Sequence, residues 1–475
     1  MAFSRDSIIK NVSRALGIIC ILFLYFLLLL RSQDNDMFFE IASGRDILQG
    51  NFRTASHLND FPVVVQQWMY SVSLVVFDKL GYLGHVLFVL IQNIVLWLLS
   101  GIFIFRKTKN KELSIVAPIV LTILSYEYMI CIRPQIITMI LLVAEILVID
   151  IYHERKEIKY LFIVFPILLL AANFHQALFL YHIFILVPYY FKDNYKIDWK
   201  LVIFTPLFIL CSLVTPYGID GSLYIVRTFQ SNAYDLFNIN ELKNLNVLSI
   251  QGIRYVLIIA LTIVLIFKHK TNRYLNYYVF SISFLVLMTL RHISLTYFML
   301  MFLVTAIDFS MFRKPKALIY VVLSAASLLA ILLSPGGTPG DLRNKFGCLG
   351  YIIEDKDARI YNSFVDIGGY MEYCGYTKIH FDSRLEAFSK EISGIDNILE
   401  DLYLVRKGYK IEGETEKLVS DDEIVSVVED YDYVIARNTD RVNIALSNSW
   451  NKLHEDNLVV IWENPEKKAT GNQAG

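Results

Sequence analysis

The chain has 475 residues, a formal net charge of -1 at pH 7, 55% hydrophobic residues and a mean hydropathy of +0.47. Soluble domains carry roughly 45 to 50% apolar residues, so this composition excludes an ordinary soluble protein and describes a polytopic membrane protein. The near-zero charge gives no footprint for nucleic acid, but basic residues gather in short loops between apolar runs and acidic ones toward the C-terminus.

Arg5, Lys10 and Arg14 precede an apolar run over 16–30 that is followed by Arg-Ser-Gln-Asp, without a small-x-small cleavage pattern. The run reads as a retained first membrane helix rather than a signal peptide. Directly behind it, the stretch 34–50 opens with Asp34 and Asp36. Met37, Phe38, Ile41, Ile47 and Leu48 recur there at helical spacing, with Glu40, Arg45, Asp46 and Gln49 on the other side. That pattern predicts an amphipathic helix along the membrane interface. A second amphipathic stretch over 64–79 contains Gln66, Gln67 and Trp68, so the first outer loop spans 32–81.

Apolar segments suited to about 30 Å of hydrocarbon fall at 14–31, 82–105, 113–131, 134–152, 160–172, 176–191, 201–215, 252–268, 274–290, 293–311 and 317–334. With the N-terminus in the cytoplasm, every even-numbered segment ends in a basic cluster: 106–111, 155–159, 192–200, 268–273 and 313–316. Five positive-inside loops agree with one orientation. The opposite, external face then receives the loop 32–81, Arg133-Pro134, Asn173-Phe174-His175, the loop 216–251, Arg291-His292 and the tail.

Residues 335–350 begin with Pro-Gly-Gly-Thr-Pro-Gly and read as a linker, which divides the chain into a transmembrane part, 1–334, and a C-terminal part, 351–475. In the latter, 359–362, 378–382, 433–436 and 458–462 read as strands, and 366–373, 389–406, 421–430 and 439–451 as helices. The alternation predicts a small extracytoplasmic α/β domain with a mostly parallel sheet. No GxGxxG or Walker pattern occurs. Of the five cysteines, Cys20, Cys131 and Cys211 lie in or beside apolar runs. Cys348 and Cys374 are the pair available for a disulfide if the tail is exported.

The Asp34-x-Asp36 pair, Phe38-Phe39, ASGRDILQG and QQW of the first loop resemble the corresponding loop of GT-C glycosyltransferases, in particular a poorly characterised bacterial branch. Arg133-Pro134, Asn173-Phe174-His175, Thr215-Pro216-Tyr217-Gly218, Glu241, DIGGYMEYC and IHFDSRLEAF follow in order along nearly the whole chain. The resemblance implies a plasma-membrane enzyme with about eleven membrane helices. It would transfer a hexosyl or pentosyl group from a polyprenyl-phosphate donor to a cell-envelope polymer or protein on the outer face. It also implies that Asp34 or Asp36 is the catalytic base, or in some branches a ligand of a divalent cation such as Mg or Mn.

Transfer to a hydroxyl needs a proton acceptor and a positive group for the departing phosphate. Asp34 and Asp36 suit the first task, or cap a helix N-terminus. Arg133, Arg291 and His292 suit the second, although Arg133 also reads as a headgroup-seeking residue at a helix end. Asn173, His175, Glu241 and Trp68 are further candidates for donor or substrate binding; each also has an ordinary reading as a hydrogen-bonded turn residue, a solvated acid or an interfacial aromatic. Asp382 and Arg384 follow a predicted strand and read as a mutual pair, a docking contact or an acceptor site. Two other functions remain open on these residues: a transporter or lipid flippase, which would place its charges near the bilayer midplane, and a non-catalytic envelope scaffold.

Overall fold

The computed structural model describes residues 5–52, 64–191, 196–231, 233, 237, 244–268, 272–307, 347, 349–382, 384–412 and 415–466. It is mostly helical, with a small sheet region near the C-terminus. The chain divides into two compact units: unit 1 comprises 1–33, 77–215 and 240–338, and unit 2 comprises 34–76, 216–239 and 339–475. The first outer loop and the start of the loop at 216 thus belong to the same unit as the C-terminal part.

Among the described residues of unit 1, three helices are long and apolar enough to cross a membrane, Gly81–Thr108, Gln135–Arg155 and Gln251–Lys268, and they associate the chain with a membrane. Shorter apolar helices include Gly17–Leu29, Lys159–Phe174, Trp199–Leu213 and Leu290–Ala306. The eleventh expected segment, 317–334, lies outside the described residues. Local chemistry sets the boundaries. Asn110 caps the helix Lys111–Leu124 by accepting from the backbone N–H of Glu112 and Leu113. Lys109 and Lys156, at φ 54° and 59°, end the helices Gly81–Thr108 and Gln135–Arg155 in the left-handed conformation. Phe103, Met139, Leu142, Ile146, Tyr278, Phe298 and Phe302 form the core of the bundle. Leu98, Ile102 and Ile115 remain exposed, as side chains facing lipid would.

In unit 2, the helix Asp36–Leu48 is not amphipathic in the expected sense. Met37 through Gly44 and Ile47 are all buried, Glu40 among them, because the helix packs inside its unit instead of lying on a surface. Gly44 lets the helix Trp68–Asp78 approach: a Cβ there would lie 2.4 Å from the Ser71 carbonyl oxygen.

Strands β1 (Ile360–Asn362), β2 (Tyr409–Glu412), β3 (Thr415–Leu418), β4 (Tyr433–Arg437), β5 (Asn451–Glu455) and β6 (Val459–Glu463) form a sheet ordered β1-β4-β6-β5 and a separate β2-β3 hairpin. β1 pairs parallel with β4, while β4-β6 and β5-β6 are antiparallel. The expected mostly parallel sheet is therefore corrected to a mixed one. The connection from Glu455 to Val459 is too short for a crossover and makes a hairpin. The predicted strand at 378–382 is reduced to a parallel bridge between Ile379 and Ile360. Phe381, Phe388, Leu402, Val405, Val434 and Trp462 fill the core of this unit. Cys374 is half-buried, and Cys348, the other cysteine of the expected pair, lies outside the described residues.

Candidate functional site

Each unit holds part of the predicted set. In unit 2, Asp34 and Asp36 stand at the start of the helix Asp36–Leu48. Both are half-buried, and the Asp36 N–H donates to Asp34 Oδ1 at 3.4 Å. Asp36 occupies the first turn, where a carboxylate is favoured by the helix dipole. One turn further, buried Glu40 accepts from Gln67 Nε2 at 2.6 Å and from Ser71 Oγ at 2.5 Å. Trp68 packs near Phe52, with ring centroids 6.1 Å apart, and joins an apolar cluster with Ile47, Val65 and Tyr217.

The fold brings the first-loop motif together with the two tail motifs. Gly369 lies against Phe39, where a Cβ would come within 3.0 Å of the Phe39 backbone nitrogen. Phe38 meets the rings of Tyr370 and Tyr373 at 5.0 and 5.1 Å. Arg45 donates from Nη1 to the Tyr373 carbonyl at 2.9 Å. Arg384 lies 4.2 Å from the centre of the Phe39 ring. Its Nη2 donates to Asp382 Oδ2 at 2.5 Å, and its backbone N–H donates to Asp382 Oδ1 at 2.7 Å. Asp382 is fully buried, so a charge-assisted pair with an aromatic cover holds this corner. Glu372 is nearby. Burial, then the charges of Asp382 and Asp46, push its carboxyl well above the usual range, with Arg384 opposing.

In unit 1, Arg133 is half-buried at the turn before the helix Gln135–Arg155. Asn173 Nδ2 donates to the carbonyls of Leu169 and Val214 at 2.8 and 2.9 Å, which ties the end of the helix Lys159–Phe174 to the segment at 214. His175 is buried and shares a hydrogen bond with Thr138 Oγ1 at 2.7 Å through Nδ1. His292 Nδ1 is hydrogen-bonded to the Tyr181 hydroxyl. The charge of Arg291 acts on His175, Tyr181 and His292. Among the described residues, Arg291 has no carboxylate at ion-pair distance. Glu241 lies outside the described residues.

Sequence reasoning missed several ionisable residues in this unit. Glu145 and His182 form a pair at 2.6 Å, both essentially inaccessible to solvent, and Glu145 Oε1 has no partner among the described residues. Glu127 Oε2 accepts from Gln251, Arg254 and Tyr255 at 3.1, 2.6 and 3.2 Å. His85 connects Gln33 and Asp78 at 2.9 and 3.0 Å. Each of these ionisable residues interrupts or borders an apolar run, which is itself a signal of function or obligatory pairing in a membrane helix.

Among the described residues, no three His, Cys, Asp or Glu side chains are grouped to hold a metal ion. Compared with known proteins, the chain matches no family model and no curated protein.

Proposed function

We propose that the protein is an integral-membrane glycosyltransferase that moves a sugar from a polyprenyl-phosphate donor to a cell-envelope polymer or protein outside the cytoplasm. In this reading it is a multi-pass plasma-membrane protein with a cytoplasmic N-terminus and an extracytoplasmic C-terminal domain. The reading is carried by Arg291, a half-buried cation beside His292 that lacks a carboxylate partner among the described residues. A cation left uncompensated between apolar helices is suited to an anionic lipid phosphate, which would supply the missing charge.

In the proposed reaction, Asp34 or Asp36 takes the proton of the acceptor hydroxyl, and that oxygen forms a bond to the anomeric carbon. The bond from this carbon to the donor phosphate oxygen breaks. Polyprenyl phosphate leaves with the electron pair, its charge held by a cation. Membranes containing Asp34→Asn or Asp36→Asn protein are expected to lose sugar transfer at unchanged protein level; full transfer by both variants would sink the base assignment. Arg291→Gln is expected to raise the KM for the donor by about tenfold or more, as for loss of a charged hydrogen bond.

The Glu145–His182 pair favours a second reading, a lipid flippase or transporter. Glu145 stands at the midpoint of the helix Gln135–Arg155, about 15 Å from either end at 1.5 Å per residue, the depth at which transporters place ionisable groups. Lipid flipping by purified protein in liposomes without an acceptor, lost in Glu145→Gln and unaccompanied by sugar transfer, would replace the first reading. Folded protein with neither activity would leave the scaffold.

A further inference from the structure

The mixed sheet of unit 2 has a topological switch point, and it lies between β1 and β4. After β1 the chain passes through the helix Gly368–Tyr373 and returns as the parallel bridge at Ile379. Ile360 directs its N–H and C=O toward Lys378 and His380, so this bridge lies on the side of β1 away from β4. After β4 the chain turns the other way, through the helix Val442–Leu446 to β5 and β6. Two adjacent parallel strands whose exits diverge leave a crevice beyond their carboxyl ends, the place where α/β sheets bind ligands.

The side chains beyond those ends are polar and cationic. Ser363 follows β1 and donates from Oγ to Asp440 Oδ2 at 2.6 Å. Arg437 ends β4; its backbone N–H donates to Asp440 Oδ2 at 3.1 Å, and its Nη2 donates to Asp366 Oδ2 at 2.8 Å. The helix Ile398–Lys407 contributes Arg406, whose Nε is 3.9 Å from Asp440 Oδ1, beyond hydrogen-bonding reach. The guanidinium of Arg437 is held 4.3 Å from the centre of the Phe364 ring, and that of Arg406 is 5.5 Å from the centre of the Phe237 ring. Stacking of this kind fixes the plane of a guanidinium and leaves its edge for an oxyanion. The Nε atoms of both arginines are buried without a hydrogen-bond partner among the described residues. Two buried donors, each on a fixed cation, are costly unless something accepts from them.

We propose that this switch point is a binding site for a ligand that presents a phosphate or carboxylate oxyanion, with Arg406 and Arg437 as its donors. Asp440 orients the site through Ser363 and the Arg437 backbone. Asp366, whose side chain is 60% exposed, is a competing anion that occupies one edge of Arg437 in the absence of ligand. The site uses neither Asp382 nor Arg384 and does not depend on the transfer reaction.

The test is calorimetric titration of the detergent-solubilised full chain with glucose 6-phosphate, with glucuronate and with neutral glucose. The phosphate and carboxylate arms decide which oxyanion is preferred, and glucose is expected not to bind. Arg437→Gln and Arg406→Gln are each expected to weaken the preferred anion about tenfold or more. Asp366→Asn is expected to tighten it, an outcome that misfolding cannot imitate if an arginine variant fails to fold. Absence of saturable binding by either anion, equal binding of glucose, or Asp366→Asn that leaves affinity unchanged or weaker would overturn the assignment.

Discussion

Unit 1 pairs a buried carboxylate, Glu145, with a histidine, whereas unit 2 pairs a buried carboxylate, Asp382, with an arginine. Both contacts are short, 2.6 and 2.5 Å, and both acids are inaccessible to solvent. The partners differ in what they permit. An imidazole can donate or accept through either ring nitrogen, so Glu145 and His182 are joined by a single hydrogen bond through Nδ1. A guanidinium offers a rigid fork of donors, and Arg384 reaches Asp382 Oδ2 from both Nε and Nη2. The first pair is a single contact between two ionisable groups among apolar helices; the second is a fixed clamp that ties the IHFDSRLEAF segment to Phe39.

The clamp is broken most directly by Asp382→Asn. It strands the Arg384 charge, and the variant is expected to lose about 3 to 5 kcal/mol of stability, the range for an unpaired buried ion. Chemical unfolding followed by tryptophan fluorescence reads this, since Trp462 is buried in the core of unit 2. A loss no larger than that of an exposed ion pair would refute the clamp. Next in size is Gly44→Ala, which drives a methyl group to 2.4 Å from the Ser71 carbonyl oxygen and is expected to cost about 1 to 3 kcal/mol as overpacking. An unaltered melting temperature would show that the two helices separate freely.

Glu145→Gln sharpens the comparison from the other side. His182 still finds a hydrogen-bond partner in glutamine, so the stability cost is expected to be about 1 kcal/mol. A loss as large as that of Asp382→Asn would mean that the pair is held as a fixed ion pair.

The smallest effect concerns pH. Burial raises the Glu372 carboxyl in the folded protein, so above pH 4.5 the folded state retains a proton that the unfolded chain has released. Stability from this group is therefore lost as pH rises from 4.5 through its raised folded value. Glu372→Gln does not titrate, and its melting temperature should gain on the parent across that window; a constant difference would contradict the assignment.

Much of the architecture is legible locally. Composition marks the membrane helices, Asn110 caps a helix start, and 359–362, 433–436 and 458–462 read as strands because they are rich in β-branched and aromatic residues. β5 escapes such reading because Asn-Lys-Leu-His-Glu is an almost wholly exposed strand with no apolar face, and β3 is exposed throughout. The Glu145–His182 pair had a usable sign. Thr138 and Glu145 are two turns apart on the helix Gln135–Arg155, and they meet His175 and His182, also seven residues apart, in the same order.

Apolar character adds up residue by residue along the chain, so the sequence alone determined that this is a membrane-associated helical protein with a polar α/β tail. Which charge meets which is decided by contacts between distant segments, and no local pattern carries that. Tertiary structure alone therefore joined Phe39 to Arg384, buried Glu40 against Ser71, and brought Ser363, Arg406 and Arg437 to one end of the sheet.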